Sequence, residues 1–308
     1  MTLHIYHVFH SGANTHYYSK VLSLMNENKY YDVRVTKIRV DKFHQEGVPH
    51  DVDVLTYQTY PDEFHTGKFS PIVVDPADKL FRSFQGLKIL VCTHDFADAD
   101  SFSRFADSKT LPRIKCFPSK WFMENYNVIL LSTFSTETND KVYPDKFPRD
   151  IKMSCKFGSK HEDLFYGHRI RECVVETLQK FFPDQVDYEW IAGKKKYLDQ
   201  LHRVLIVIGA PGWGYFNGSY VGALKAGCLL FAYRALNDIH FLPHADLIDG
   251  EDYVSYDLFN FKTKLQRLLD NPEEIERIRE NGRNKFKRGY NTQITADKFY
   301  AYLKKELL

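Results

Sequence analysis

The stretch from Val204 to Phe231, VLIVIGAPGWGYFNGSYVGALKAGCLLF, constrains this chain more than any other. It opens on Val204-Leu205-Ile206-Val207-Ile208, apolar and largely β-branched, the composition of a strand buried on both faces. Gly209-Ala210-Pro211-Gly212-Trp213-Gly214 can continue neither strand nor helix and reads as a loop. Asn217, Gly218 and Ser219 then open a helical run from Tyr220 to Lys225, which Ala226-Gly227 stops, and Cys228-Leu229-Leu230-Phe231 forms the next strand. Strand, glycine loop, helix, strand is a βαβ unit. The start of such a helix presents backbone N–H groups and the positive end of a dipole, which suits a phosphate.

A chain of 308 residues has room for two domains, and 44% hydrophobic with 27% charged residues marks it as globular. Its formal net charge of +2 leaves no electrostatic footprint for nucleic acid. The five cysteines are scattered and form no CxxC pair, which points to buried thiols in a reducing, cytoplasmic compartment. No signal peptide is evident at the N-terminus, and no apolar run approaches the roughly 20 residues of a transmembrane segment.

The first half alternates strand and helix signals. Leu3 to Phe9 reads as a strand, Thr15 to Asn26 as a helix and Tyr31 to Val40 as a second strand. The loop between the first two carries His10. In open α/β sheets ligands gather at the carboxyl ends of strands, so His10 stands where chemistry can occur, or is a solvated loop histidine. Tyr60 to Pro76, rich in Pro, Asp and Gly, reads as a long loop. Gly86 to Cys92 is a buried strand that runs into His94-Asp95, either an acid–base pair with the carboxylate orienting the imidazole or an aspartate capping the following helix.

Ser135 to Asp150 is polar and proline-containing, the best linker. Beyond it come a strand over Ile151 to Phe157, the loop Gly158-Ser159-Lys160-His161, a helix over Asp163 to Phe182 carrying Arg169 and Arg171, and a strand over Val186 to Trp190. After the central unit, Leu258 to Leu269 and Pro272 to Asn281 read as amphipathic helices, with Asn281-Gly282 as a turn, and a last helix spans about Thr295 to Leu307.

The order of Ser219-Tyr220, Ala223-Leu224-Lys225-Ala226-Gly227-Cys228, Tyr253-Val254-Ser255-Tyr256 and Leu268-Leu269-Asp270-Asn271-Pro272-Glu273-Glu274 resembles the C-terminal domain of GT-B glycosyltransferases, with the flavour of spore-maturation and exostosin-like proteins. The resemblance covers roughly Met153 to Leu307. It implies an α/β fold of two Rossmann-like domains facing across a cleft. Residues 1–145 would form the acceptor domain, 151–290 the nucleotide-sugar donor domain, and 291–308 a helix crossing back to the first domain. It also implies a glycosyltransferase acting on a nucleotide-sugar donor and a glycan or other hydroxyl acceptor, with no metal cofactor. The leaving diphosphate would be stabilised by a helix N-terminus and basic side chains. Asn217, Gly218, Ser219 and Tyr220 would meet that diphosphate, Lys156, Arg169 and Arg171 would add positive charge beside the Gly158-Ser159 loop, and Tyr215 would stack on the donor.

The sequence also departs from the family. Where many members carry a ribose-binding glutamate ahead of the Ala-Leu pair, this chain has Gly222, and the paired glutamates of classical retaining members are missing. That points to inversion, which needs a general base from the first domain, and Asp95, His94 and His10 are the catalytic candidates. Two alternatives stay open: a metal-dependent enzyme using Asp51-Val52-Asp53 or Asp98-Ala99-Asp100, and a non-catalytic sugar- or nucleotide-binding protein on the same fold.

Overall fold

A computed structural model of the chain describes residues 2–9, 17–59, 71–92, 110–115, 118–129, 148–156, 166–189, 194–211, 218–240, 242 and 244–307. Its elements begin with β1 (Leu3–Phe9), α1 (Tyr17–Glu27), β2 (Val33–Arg39), α2 (Val40–Glu46), β3 (Val54–Thr59), α3 (Pro71–Ser83), β4 (Leu87–Cys92), β5 (Arg113–Lys115), α4 (Lys120–Asn125) and β6 (Val128–Ile129). They continue with β7 (Ile151–Ser154), α5 (Tyr166–Phe181), β8 (Val186–Asp187), α6 (Lys194–Leu201), β9 (Val204–Gly209), α7 (Gly218–Ala226), β10 (Leu229–Tyr233) and β11 (Val254–Tyr256). Three helices close the chain: α8 (Phe261–Leu269), α9 (Pro272–Gly289) and α10 (Thr292–Leu307).

Two compact units result, one of Met1–Ser135 with Asn291–Leu308 and one of Thr136–Tyr290. The first holds a six-stranded sheet in the order β2-β1-β3-β4-β5-β6. Every pair in it is parallel, and Val8 sits beside Ile38 and Tyr57. One face carries Tyr6, Val8, Leu55, Tyr57 and Leu90, covered by Phe43 of α2 and Phe81 of α3. The other packs α1, against which α10 lies: Tyr18 and Phe299 meet edge to face at 5.7 Å, and the Tyr31 hydroxyl donates to Asp297 at 2.7 Å.

The second unit holds a five-stranded parallel sheet in the order β11-β10-β9-β7-β8. Its core joins Met153, Ile206, Ile208 and Phe231 to Val174 of α5 and Leu265 of α8. In both sheets the chain steps outward once and then returns past its first strand. That places a crossover point between β1 and β3 in one sheet, and between β7 and β9 in the other, where open α/β sheets take their ligands.

The βαβ unit read from the sequence is present as β9, α7 and β10. Gly227, at φ +68°, ends α7: its N–H reaches Leu224 O at 3.1 Å and the Cys228 N–H reaches Ala223 O at 2.9 Å, a glycine stop with both bonds in place. Three expectations are corrected. Residues 71–83 are helical where the loop from Tyr60 was read through Pro76. The strand read through Val40 gives way there to α2, whose Val40 and Phe43 are both buried. Asn281-Gly282 is no turn, because α9 runs unbroken to Gly289. A Cβ on Gly282 would lie 2.2 Å from the Asp252 carbonyl oxygen, so this glycine serves close helix packing.

Candidate functional site

The carboxyl ends of β7, β8 and β9 gather charged side chains next to the crossover. Lys156 follows β7 by two residues and is 4% exposed, and its ammonium lies 3.0 Å from the Asp187 carboxylate at the end of β8. The same ammonium donates to the Gln200 side-chain carbonyl, and the Gln200 amide donates to Asp187, closing a three-membered network. A lysine this deeply buried needs such a counter-ion. Its positive charge is therefore balanced within the unit. Asp187 and Gln200 were not singled out from the sequence; the place of Asp187 at a strand's carboxyl end was the available signal.

Arg171, in the second turn of α5, reaches over to the loop after β9, where its Nε donates to Pro211 O at 2.7 Å. Its guanidinium acts electrostatically on Cys155, Tyr220 and Tyr256, which places positive charge beside the strand ends. Burial pushes the Cys155 thiol up to about 12, against the pull of Arg171, so this cysteine is no nucleophile at neutral pH. Arg169 stands exposed on the same helix.

α7 starts at Gly218, directed from the carboxyl edge of the sheet, so the positive end of its dipole opens there. Ser219 is half-buried in the first turn. Tyr220 turns its ring inward. A Cβ on Gly209 would come within 2.4 Å of that ring, so the strand end must be glycine for α7 to dock. The Tyr256 hydroxyl donates to Gly209 O at 2.8 Å and fixes the same strand end from the other side. Burial raises the pKa of both phenols. The Tyr220 hydroxyl is therefore enclosed within the unit. Gly222 lies against α6: a Cβ there would be 3.1 Å from the Leu201 side chain. A side chain at this position would require the Leu201 side chain to shift by a few tenths of an ångström.

His10, His94 and Asp95, and with them Gly158, Ser159, Tyr215 and Asn217, lie outside the described residues. So do Asp98 and Asp100. Asp51 and Asp53 precede β3, at the amino edge of the first sheet. Asp51 pairs with Arg34, and Asp53 accepts the His4 N–H at 2.8 Å. Among the described residues no three of His, Cys, Asp or Glu come together as metal ligands.

No family model and no curated protein matches this sequence. Solved structures do. Sucrose-phosphate synthase from Thermosynechococcus elongatus superposes with a TM-score of 0.62 at 10% identity, covering 98% of each chain. Anabaena HepE in complex with UDP and glucose gives 0.57 at 12% identity, covering 97% of this chain and 99% of that one. An α-glucosyltransferase in complex with UDP-glucose and DNA containing an abasic site gives 0.59 at 8% identity, over 98% and 99%. This chain has the GT-B fold. The α/β architecture expected from the sequence is the one found, and GT-B structures of this kind match it over nearly its whole length.

Proposed function

We propose that the protein is a glycosyltransferase that moves a sugar from a nucleoside-diphosphate donor, of the UDP-sugar class, to a hydroxyl acceptor. The observation that carries this reading is the placement of Arg171 and the positive end of α7 at the β7/β9 crossover of the second unit. A diphosphate departing there gains negative charge as the sugar bond breaks, and pre-oriented positive groups stabilise that charge without reorganising. Solved structures of the same fold in complex with UDP or UDP-glucose support the donor class. Gly218 and Ser219 supply first-turn amides, and Arg171 supplies a guanidinium. Lys156 sets the local geometry through Asp187 instead of meeting the diphosphate as a bare charge. The reaction proceeds with inversion and needs no metal. The base that takes the acceptor proton is one of Asp95, His94 and His10.

Thermal melting with UDP, other nucleoside diphosphates and their sugar conjugates tests the donor site. A ligand at about 100 times its Kd stabilises the native state by about 2.7 kcal/mol, a shift of several degrees. Arg171→Ala should abolish most of that shift, measured against the variant's own unliganded melting temperature. No shift with any nucleotide overturns the proposal. Alanine variants of the base should lose about a hundredfold or more in turnover, whereas losses under about tenfold at all three positions would remove them from the reaction. Turnover that survives a chelator, with the opposite anomeric configuration in the product, supports the remaining two statements.

A further inference from the structure

The turn after β11 displays an aromatic ring to water. Phe259 is 99% exposed and the preceding Leu258 is 42% exposed. This is not a frayed segment. The Asp257 carboxylate accepts from the Phe259 N–H at 2.9 Å, from the Asn260 N–H at 2.9 Å and from the Asn260 side-chain amide at 2.8 Å. The Asn260 side-chain oxygen in turn accepts the Asp257 N–H at 3.0 Å. The turn is locked on both sides, and locking it requires Asp257 and Asn260 but places no demand on Phe259. A polar residue would serve the fold equally, so the ring is unexplained by folding.

Its surroundings are cationic. Lys262, in the first turn of α8, sets its ammonium 3.8 Å from the centre of the Phe181 ring, and Lys180 sits 5.3 Å from the same ring. Phe181 is itself 41% exposed, at the end of α5. α8 reads FKTKLQRLL with no acidic residue; Lys264 donates to Ser255 O at 2.8 Å and Arg267 pairs with Glu274 at 2.9 Å, so Lys262 carries the positive charge of its first turn. The acid of the adjoining turn, Asp257, is directed into the turn's own donors. Exposed Phe and Leu side chains, followed three residues after Phe259 by a lysine whose ammonium lies over a second exposed ring, form the pattern of an interfacial membrane contact. Protein interfaces, by contrast, are depleted of lysine at their centres.

We infer that Leu258 and Phe259 insert into an anionic lipid surface, with Lys180 and Lys262 meeting its headgroups, so that the second unit docks peripherally on a membrane. No helix among the described residues is long and apolar enough to cross one. The contact uses none of the donor-site residues, so it can fail while the transferase reading holds.

Co-sedimentation of the full chain with vesicles of phosphatidylcholine, and of phosphatidylcholine mixed with phosphatidylserine, tests it. The protein should pellet with the mixed vesicles and not with phosphatidylcholine alone, and high salt should release it. Phe259→Ser should weaken binding about tenfold or more without moving the melting temperature, because the ring buries nothing in the folded chain. Lys180→Gln and Lys262→Gln should each cost about fivefold, the factor expected of one lysine near an anionic surface. Failure to bind the mixed vesicles overturns the inference, as does binding that all three variants retain. A dimer in vesicle-free buffer that Phe259→Ser dissociates would assign the ring to a second copy of this chain and overturn it equally.

Discussion

The two sheets share a crossover topology and use polar residues in opposite ways. In the first, polar groups are buried within the strands themselves. His7 of β1 is hydrogen-bonded to Thr56 of β3 at 2.9 Å, the Tyr57 hydroxyl donates to Asp78 at 2.8 Å, and the buried Arg113 and Lys115 of β5 lie over the rings of Tyr126 and Phe122. In the second, the central strands β9 and β10 are apolar, and the charged residues stand past the strand ends: Lys156 with Asp187, and Arg171 with Pro211. A polar group locked mid-strand between neighbours belongs to the fold. One beyond a strand end and bonded to a loop carbonyl, as Arg171 is, can exchange that partner for a ligand. The proposed donor site in the second unit rests on that contrast.

The largest effect expected from breaking this contrast is at Asp187. Asp187→Ala would leave the Lys156 ammonium, 4% exposed, without its counter-ion. Removing one member of a buried pair costs about 3 kcal/mol or more. Urea unfolding monitored by hydrogen exchange at β7 should show the loss there and spare β1. Adding Lys156→Met should recover most of it, since an apolar replacement of both partners is often neutral. A small effect from Asp187→Ala would mean that the pair is no more committed to the fold than an exposed one. Thr56→Val in the first unit deletes the neutral buried hydrogen bonding of Thr56 to His7 and Tyr18, and should cost about 1–2 kcal/mol at β1 and nothing at β7. An equal effect at both strands would merge the units into one cooperative block.

The legibility of the sequence follows the same division. The apolar run of β9, the glycine stop at Gly227 and the helix between them were readable, because each rests on local composition and local backbone chemistry. α3 was not: Pro71 fits a first helical position, but Pro76 stands inside the helix, where proline removes a donor and argues against one. At Asn281-Gly282 the turn signal lost to tertiary packing. α9 approaches the Asp252 carbonyl so closely that only glycine fits, and glycine is written the same way in a turn and at a close contact. Lys156 was identified as a basic residue at the right strand end, yet its balancing carboxylate lies across a strand pairing that no residue spacing reveals. The general-base candidates were chosen from strand-end position alone, and they rest on that position still.

At the amino edges the two units converge, and there the smallest effects are expected. In each, an aspartate just ahead of a crossover strand binds an exposed arginine: Asp51 before β3 with Arg34, and Asp150 before β7 with Arg203. Hydrogen bonding from the arginine holds both carboxyls below the usual carboxylate range. A carboxyl whose folded pKa lies below its unfolded value near 3.9 contributes stability in full above that pH, and the contribution fades as pH falls through the folded value. Melting temperature should therefore decline as pH drops from about 5 toward 3. Asp51→Asn and Asp150→Asn should each flatten that decline slightly and equally, and salt should erase the difference from wild type, since both pairs are open to solvent. A clearly larger effect at Asp150 would show that the charge asymmetry of the second unit extends from its carboxyl edge through to its amino edge.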